Sequence, residues 1–269
     1  MEIAGIDSVD WSAPWLVPFA GLGQAITQSN DWRGELNRAA REHGIVNFRG
    51  QPITFAADDA AADEPYEVFI ARTGGVPTRA NLHDFFNALV LLQFPRSKAQ
   101  LNRLQSAAIA RDGVGPIRGP LRDAATLIDE NAVLLVTLRT DLVQSLRAHD
   151  WPTLFAQRRR AWSDEIMVIA FGHALLEKLV RPYKAITAHA LHIPLAAGAS
   201  LSEVDQRVAA ALDDDMSPEH LMPLPALGVP GWCAQNNDAS FYSDAAVFRP
   251  ANMRPKSTVE KRSNETRRT

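Results

Sequence analysis

The chain has 269 residues, 46 % hydrophobic and 22 % charged, which is material for a sizeable core and the balance of an ordinary globular protein. A formal net charge of -3 gives no general attraction to nucleic acid or anionic membranes, and no run approaches the about 18 apolar residues that a bilayer span requires. One cysteine, Cys233, excludes an intrachain disulfide or a zinc site of several thiolates, and the N-terminus lacks a signal-peptide pattern, so the expected location is the cytoplasm.

In chain order, residues 9–25 mix Trp11, Pro14, Trp15, Pro18 and Phe19 with glycines and read as an irregular lead-in whose aromatic rings dock on a core. Asp31 is placed to cap a helix running to about His43, with Gly44 as its stop. Val46–Phe55 reads as extended, and residues 56–64 as an alanine- and aspartate-rich loop. Pro65 then opens a helix from Tyr66 to about Arg72, closed by Gly74 and Gly75. Asn81 is a good N-cap for the next helix, and Asp84 lies three residues on, where an acid can reach back to the cap. Phe85, Phe86, Leu89, Val90 and Leu92 form its apolar face, and Pro95 restarts the pattern as a second helix from Arg96 to about Ala110.

A glycine- and proline-rich loop at 113–120 leads into a short helix, Leu121–Ile128. Asp129, Glu130 and Asn131 then read as a sharp turn before a strand at Val133–Leu138. After a helix over Asp141–His149, the spacing of Trp162, Ile166, Ile169, Leu176 and Val180 predicts one long helix from Pro152 to Arg181, stopped by Pro182. Leu191–Leu195 reads as a strand, and Ser200 or Ser202 caps an amphipathic helix ending near Asp213. Residues 217–250, rich in proline and aromatics, read as an extended wrap over the core. The tail carries Lys256, Lys261, Arg262, Arg267 and Arg268, diluted by Glu260 and Glu265, with no aromatic side chain for base stacking. These elements predict an α+β, predominantly helical fold: one globular domain over 1–250 with a small β-sheet, and a disordered tail over 251–269.

Polar side chains recur on these apolar helices. His83 and Asn87 stand at i, i+4, as do Lys98 and Asn102, so a hairpin about Pro95 would bring the four together as an anion-binding wall. The bland alternative is that the two amides brace loop backbone. The His83-Asp84 dipeptide suggests a metal pair, yet His149-Asp150 is a second copy, as chance supplies, and Asp84 has its capping explanation. His173 and Glu177, also at i, i+4, form either a general base with its orienting carboxylate, two ligands of a metal site with His189 or His83 as a third, or a satisfied core pair. Asp129 and Glu130 could contact a substrate from the strand edge. Cys233 has no neighbouring positive charge to activate it, and no Gly-rich phosphate loop precedes a helix.

Several stretches together resemble a bacterial family, domain of unknown function 3025. They are Thr73 to Arg79 with Asn81 to Leu89, Phe94-Pro95 with Lys98, and Arg122-Asp123 through Asn131. Further on they are Phe171 to Lys178 with Pro182-Tyr183, then Leu227 to Trp232 through Asn236, Phe241-Tyr242 and Val247 to Pro250. Leu91-Leu92 departs from a tryptophan-containing pair and Cys233 from a second aromatic, both of which read as packing changes. The resemblance implies one intact domain and no activity.

The residues themselves lead to a hydrolase-like intracellular enzyme acting on a small anionic or polar substrate. His173, Glu177 and His83 are its expected catalytic groups; Asn87, Lys98, Asn102, Asp129 and Glu130 are its expected substrate contacts. No cofactor and no committed metal site are expected. The partner is an unknown small molecule or protein, neither nucleic acid nor membrane. The alternative is a non-catalytic binding or scaffold protein in which the same residues form a buried hydrogen-bond network.

Overall fold

The structure, a computed structural model, describes residues 2–57, 64–113 and 119–250, so the expectation for the tail lies outside the described residues. The fold is α+β and mainly helical. Helices α1 (Ala20–Thr27), α2 (Trp32–Glu42), α3 (Tyr66–Thr73), α4 (Leu82–Gln93), α5 (Pro95–Asp112) and α6 (Pro120–Asn131) occupy the first half. The second half holds α7 (Thr140–Arg147), α8 (Ala161–Asp164), α9 (His173–Lys178) and α10 (Leu201–Ala211). Strands β1 (Thr54–Ala56) and β2 (Gly75–Pro77) pair in parallel as a small ribbon. Strands β3 (Ala132–Val136), β4 (Met167–Ala170), β5 (Thr187–Ile193) and β6 (Met222–Pro225) form a sheet in the order β4-β3-β5-β6.

Central strand β3 is apolar at every position and fully buried, as a strand covered on both faces must be. It runs parallel to β5 and antiparallel to β4, while β6 closes the other edge antiparallel to β5. Pro223 and Pro225 fall on that edge strand, where a missing N–H costs no ladder bond. The 217–250 segment thus supplies one strand before turning into short 3-10 segments, over which Asn236 is wholly buried and donates to Leu227 O and Val229 O at 2.8 Å.

Caps fall where the sequence has short polar residues. Asp31 accepts from Gly34 N, Asn81 accepts from Asp84 N at 2.8 Å, and Ser200 forms a capping box with Glu203. Gly74 closes α3 in the left-handed conformation at φ 73°, which a Cβ disfavours. Helix α4 buries residues on every side, so it is a core helix rather than a surface one.

Three expectations are corrected. The lead-in contains helix α1, which its glycines conceal. Asp129, Glu130 and Asn131 are the last turn of α6, three residues beyond the expected end, and not a free turn. The long helix over 152–181 does not exist: Pro152–Gln157 is a π-helical segment, Ala161–Asp164 a single turn, Met167–Ala170 the edge strand β4, and only His173–Lys178 returns to helix. Ile166 and Ile169 match the helical period by coincidence of a short apolar run, which period alone cannot assign.

The two halves lock together at the start of α5. Asp205 of α10 is buried and accepts from Arg96 N at 3.0 Å, Ser97 N at 2.8 Å and Ser97 Oγ at 2.6 Å, capping α5 from a distant helix. Asp205→Ala is expected to lower unfolding free energy by about 2 kcal/mol, because two backbone N–H groups lose a charged acceptor. Urea denaturation would show it, and a shift under about 0.5 kcal/mol would mean that water replaces the cap.

Candidate functional site

Helices α3, α4, α5, α6 and α9 surround a cavity of about 400 Å³. Its apolar lining includes Ile45, Ile53, Ile70 and Leu101. Its polar lining carries the charge. Helix α4 presents His83 and Asn87 one turn apart; α5, restarted by Pro95, presents Lys98 in its first turn and Asn102 in its second. The last turn of α6 brings Asp129 and Glu130, and the first residue of α9 is His173.

The approach of α9 to α6 depends on Gly172. A Cβ there would lie 2.4 Å from Asn131 N and 2.5 Å from Glu130 O. Its own N–H donates to Ala132 O at 2.8 Å, tying the end of β4 to the start of β3. The absent side chain is what lets His173 stand beside Glu130.

Two linked networks result. In one, the Lys98 ammonium donates to Asn87 Oδ1 at 2.7 Å and forms a close ion pair with Asp129; Asn87 donates in turn to the Tyr66 hydroxyl at 2.9 Å. In the other, Nε2 of His173 meets Nε2 of His83 at 3.1 Å and Glu130 Oε2 at 3.4 Å, while His83 Nδ1 faces Glu177 Oε2 at 3.2 Å. The imidazole rings contact edge to face, 4.5 Å between centroids.

The electrostatics follow from burial. Burial holds the His173 imidazole down at about 4, with Lys98 and His83 adding to the effect and the Asp129 charge opposing it. At neutral pH that ring is uncharged. Burial alone would raise Asp129, but Lys98 and the two histidines outweigh it and leave the carboxyl below its usual range. Glu130 goes the other way, raised first by burial and then by the neighbouring Asp129 charge. Tyr66 is exposed as a residue, but desolvation at its hydroxyl, then the Asp129 charge, raises the phenol as well. Two adjacent carboxyls pushed in opposite directions are the arrangement that divides acid from base duties.

Of the residues expected from sequence, His83, Asn87, Lys98, Asn102, Asp129, Glu130 and His173 line this one cavity, and Glu177 joins them through His83. The pairings differ from expectation. Glu177 bonds His83, and the carboxylate that meets His173 is Glu130. The i, i+4 spacing survives only because α9 is helical over those six residues. Asn102 donates to Glu67 O at 2.8 Å, bracing α3. Asp84 does not reach back to Asn81; it accepts from Arg79 N at 2.7 Å and Arg79 Nε at 2.9 Å, so it takes no part in a metal pair. His189 lies apart, 3.2 Å from Asn131 Nδ2. Sequence reasoning missed Tyr66, Gln105 and Thr126 on the cavity wall. Only Tyr66, placed just after the helix-opening Pro65, had any positional signal.

Fold and cavity together define a mainly helical α+β protein whose histidine–carboxylate cluster sits where α4, α6 and α9 meet. The chain belongs to the family described as protein of unknown function, DUF3025, whose profile matches residues 53–252 and so takes in every member of that cluster. Comparisons with curated proteins and with solved structures found no match. Among the described residues no helix is long and apolar enough to cross a membrane.

Proposed function

We propose that the cavity is the active site of an intracellular hydrolase acting on a small anionic or polar substrate. One observation carries the reading: two imidazole nitrogens 3.1 Å apart and a carboxylate oxygen 3.4 Å from one of them converge at a cavity that also holds a partly buried lysine. A water at that convergence meets proton acceptors on three sides. Glu177 fixes the His83 ring by its Nδ1, the part assigned from sequence to its pairing with His173. Lys98 uses two of its three donors on Asn87 and Asp129, which leaves one for a substrate anion. The cavity is of a size that takes a small ligand, and its isoleucine and leucine wall suits an apolar substituent beside the polar group. The single cysteine supports a reducing compartment.

The test is a panel of chromogenic phosphate esters, carboxylic esters and amides. At least one class is expected to be turned over, with kcat/KM falling roughly 10²- to 10⁴-fold in His83→Ala. Turnover that survives His83→Ala unchanged would sink the reading.

The rival is a non-catalytic binding protein, favoured by the chain of hydrogen bonds Tyr66–Asn87–Lys98–Asp129, which already engages the lysine without a substrate. It predicts no turnover of any class.

A further inference from the structure

The contact between His83 and His173 leaves a proton problem. A ring proton on His83 Nδ1, where Glu177 Oε2 stands at 3.2 Å to accept it, leaves Nε2 with its lone pair. That lone pair points at His173 Nε2, and His173 Nδ1 is buried with no hydrogen-bond partner. A proton on His173 Nε2 would bridge the rings but leave the Nδ1 lone pair without a donor. A proton on Nδ1 would set two lone pairs face to face at 3.1 Å. Neither arrangement satisfies both rings, and an unsatisfied nitrogen so deeply buried calls for an explanation.

The spacing supplies one. One donor atom each from His83, Glu130 and His173 all lie within 4.8 Å of one another, with the two closest separations 3.1 and 3.4 Å. Ligand atoms around a tetrahedral ion with bonds of about 2.1 Å stand about 3.4 Å apart. The facing lone pairs, unfavourable alone, are what a cation between them requires.

We propose that His83 Nε2, His173 Nε2 and a Glu130 oxygen hold one divalent transition-metal ion, zinc by ligand type. Two imidazoles with one carboxylate form a three-ligand set that leaves a coordination position open, as catalytic rather than structural sites do. Glu177 is the outer carboxylate that orients a metal-bound imidazole. The Asp129 carboxylate, held by Lys98, adds negative charge beside the ion without being spent as a ligand. The open position faces the cavity, where it would take a water or a substrate oxygen. This deepens the hydrolase reading, on which its catalytic meaning rests, by naming what activates the water.

The test is direct binding. Tag-free protein, stripped by chelator and dialysed, is titrated with Zn²⁺ by calorimetry and with Co²⁺ by visible absorption. One equivalent per chain is expected, with a ligand-field band for Co²⁺ and a raised Tm. His83 and Glu130 are partly exposed, so His83→Ala and Glu130→Gln keep the fold, which circular dichroism checks. They are expected to weaken binding at least 100-fold and tenfold respectively, and Glu177→Gln by 10- to 100-fold. Absence of saturable binding by the folded protein overturns the site, as does binding that neither His83→Ala nor Glu130→Gln weakens. The two readings fail separately. Stoichiometric metal with no turnover of any probe upholds the site and removes the hydrolase; turnover by a protein that shows no saturable metal binding overturns the site and upholds the hydrolase.

Discussion

Lys98→Ala is expected to lower the unfolding free energy by about 3–5 kcal/mol. The Lys98 side chain is 10 % exposed and that of Asp129 18 %, so neither charge is well solvated, and each is the other's principal counter-charge. Removing the ammonium leaves the Asp129 carboxylate largely buried beside Glu130, and takes a donor from Asn87. Asp129→Asn is expected to cost somewhat less, since an amide oxygen still accepts from lysine while the lysine charge stays uncompensated. The double variant Lys98→Met with Asp129→Leu is expected to recover most of the loss. Two apolar groups of similar volume carry no desolvation penalty, and a buried ion pair is often no better than its hydrophobic substitute. Urea denaturation of the three variants at neutral pH measures all of this. A loss below about 1 kcal/mol in Lys98→Ala would mean that solvent screens the pair, and the network behind the non-catalytic reading would lose its anchor. Recovery of stability in the double variant without substrate binding would separate the lysine's structural part from its contact with an anion.

The capped helices are legible in the sequence because their signals are local. Asp31, Asn81 and Ser200 announce their helices by short side chains that bond backbone two or three residues on, and Pro95 breaks its helix by covalent geometry alone. The strand β4 was not legible. Met167, Val168, Ile169 and Ala170 lie in an unbroken apolar run from Ile166 to Phe171, and whether such a run is strand or helix is decided by β3 alongside it, a partner more than thirty residues away. The site divides the same way. His83, Asn87, Lys98 and Asn102 stood out by helical spacing, but the pairing of Glu177 with His83 rather than His173, and of Glu130 with His173, depends on how α4, α6 and α9 dock. The end of α6 mattered most. Reading Asp129, Glu130 and Asn131 as a turn left their side chains without direction, whereas the last helical turn aims two carboxylates at the histidines.

That docking makes Gly172→Ala the most informative single change in the chain. The residue has φ -64° and ψ 123°, which any L-residue adopts, so no backbone strain opposes the methyl. On the unfolded side, alanine in place of glycine stabilises by about 0.4–1 kcal/mol. Against this stand contacts of 2.4 Å to Asn131 N and 2.5 Å to both the carbon and the oxygen of the Glu130 carbonyl. These are backbone atoms, held in the last turn of α6, and no rotamer change can move them aside. The helices must separate by roughly 1 Å for ordinary contact, and the net expectation is a loss of about 3 kcal/mol, at the upper end for an overpacked core. Gly21 is the control: it is exposed on α1, a Cβ there meets nothing within 4 Å, and Gly21→Ala is expected to gain up to about 1 kcal/mol from helix propensity. Thermal denaturation of both variants gives the comparison. The same displacement carries α9 and pulls His173 away from Glu130, so Gly172→Ala should also lose metal affinity under conditions where it is still folded. Full stability together with full affinity would mean that the α6–α9 junction is looser than the contacts at Gly172 require, and that something other than this glycine brings the second histidine to the carboxylate.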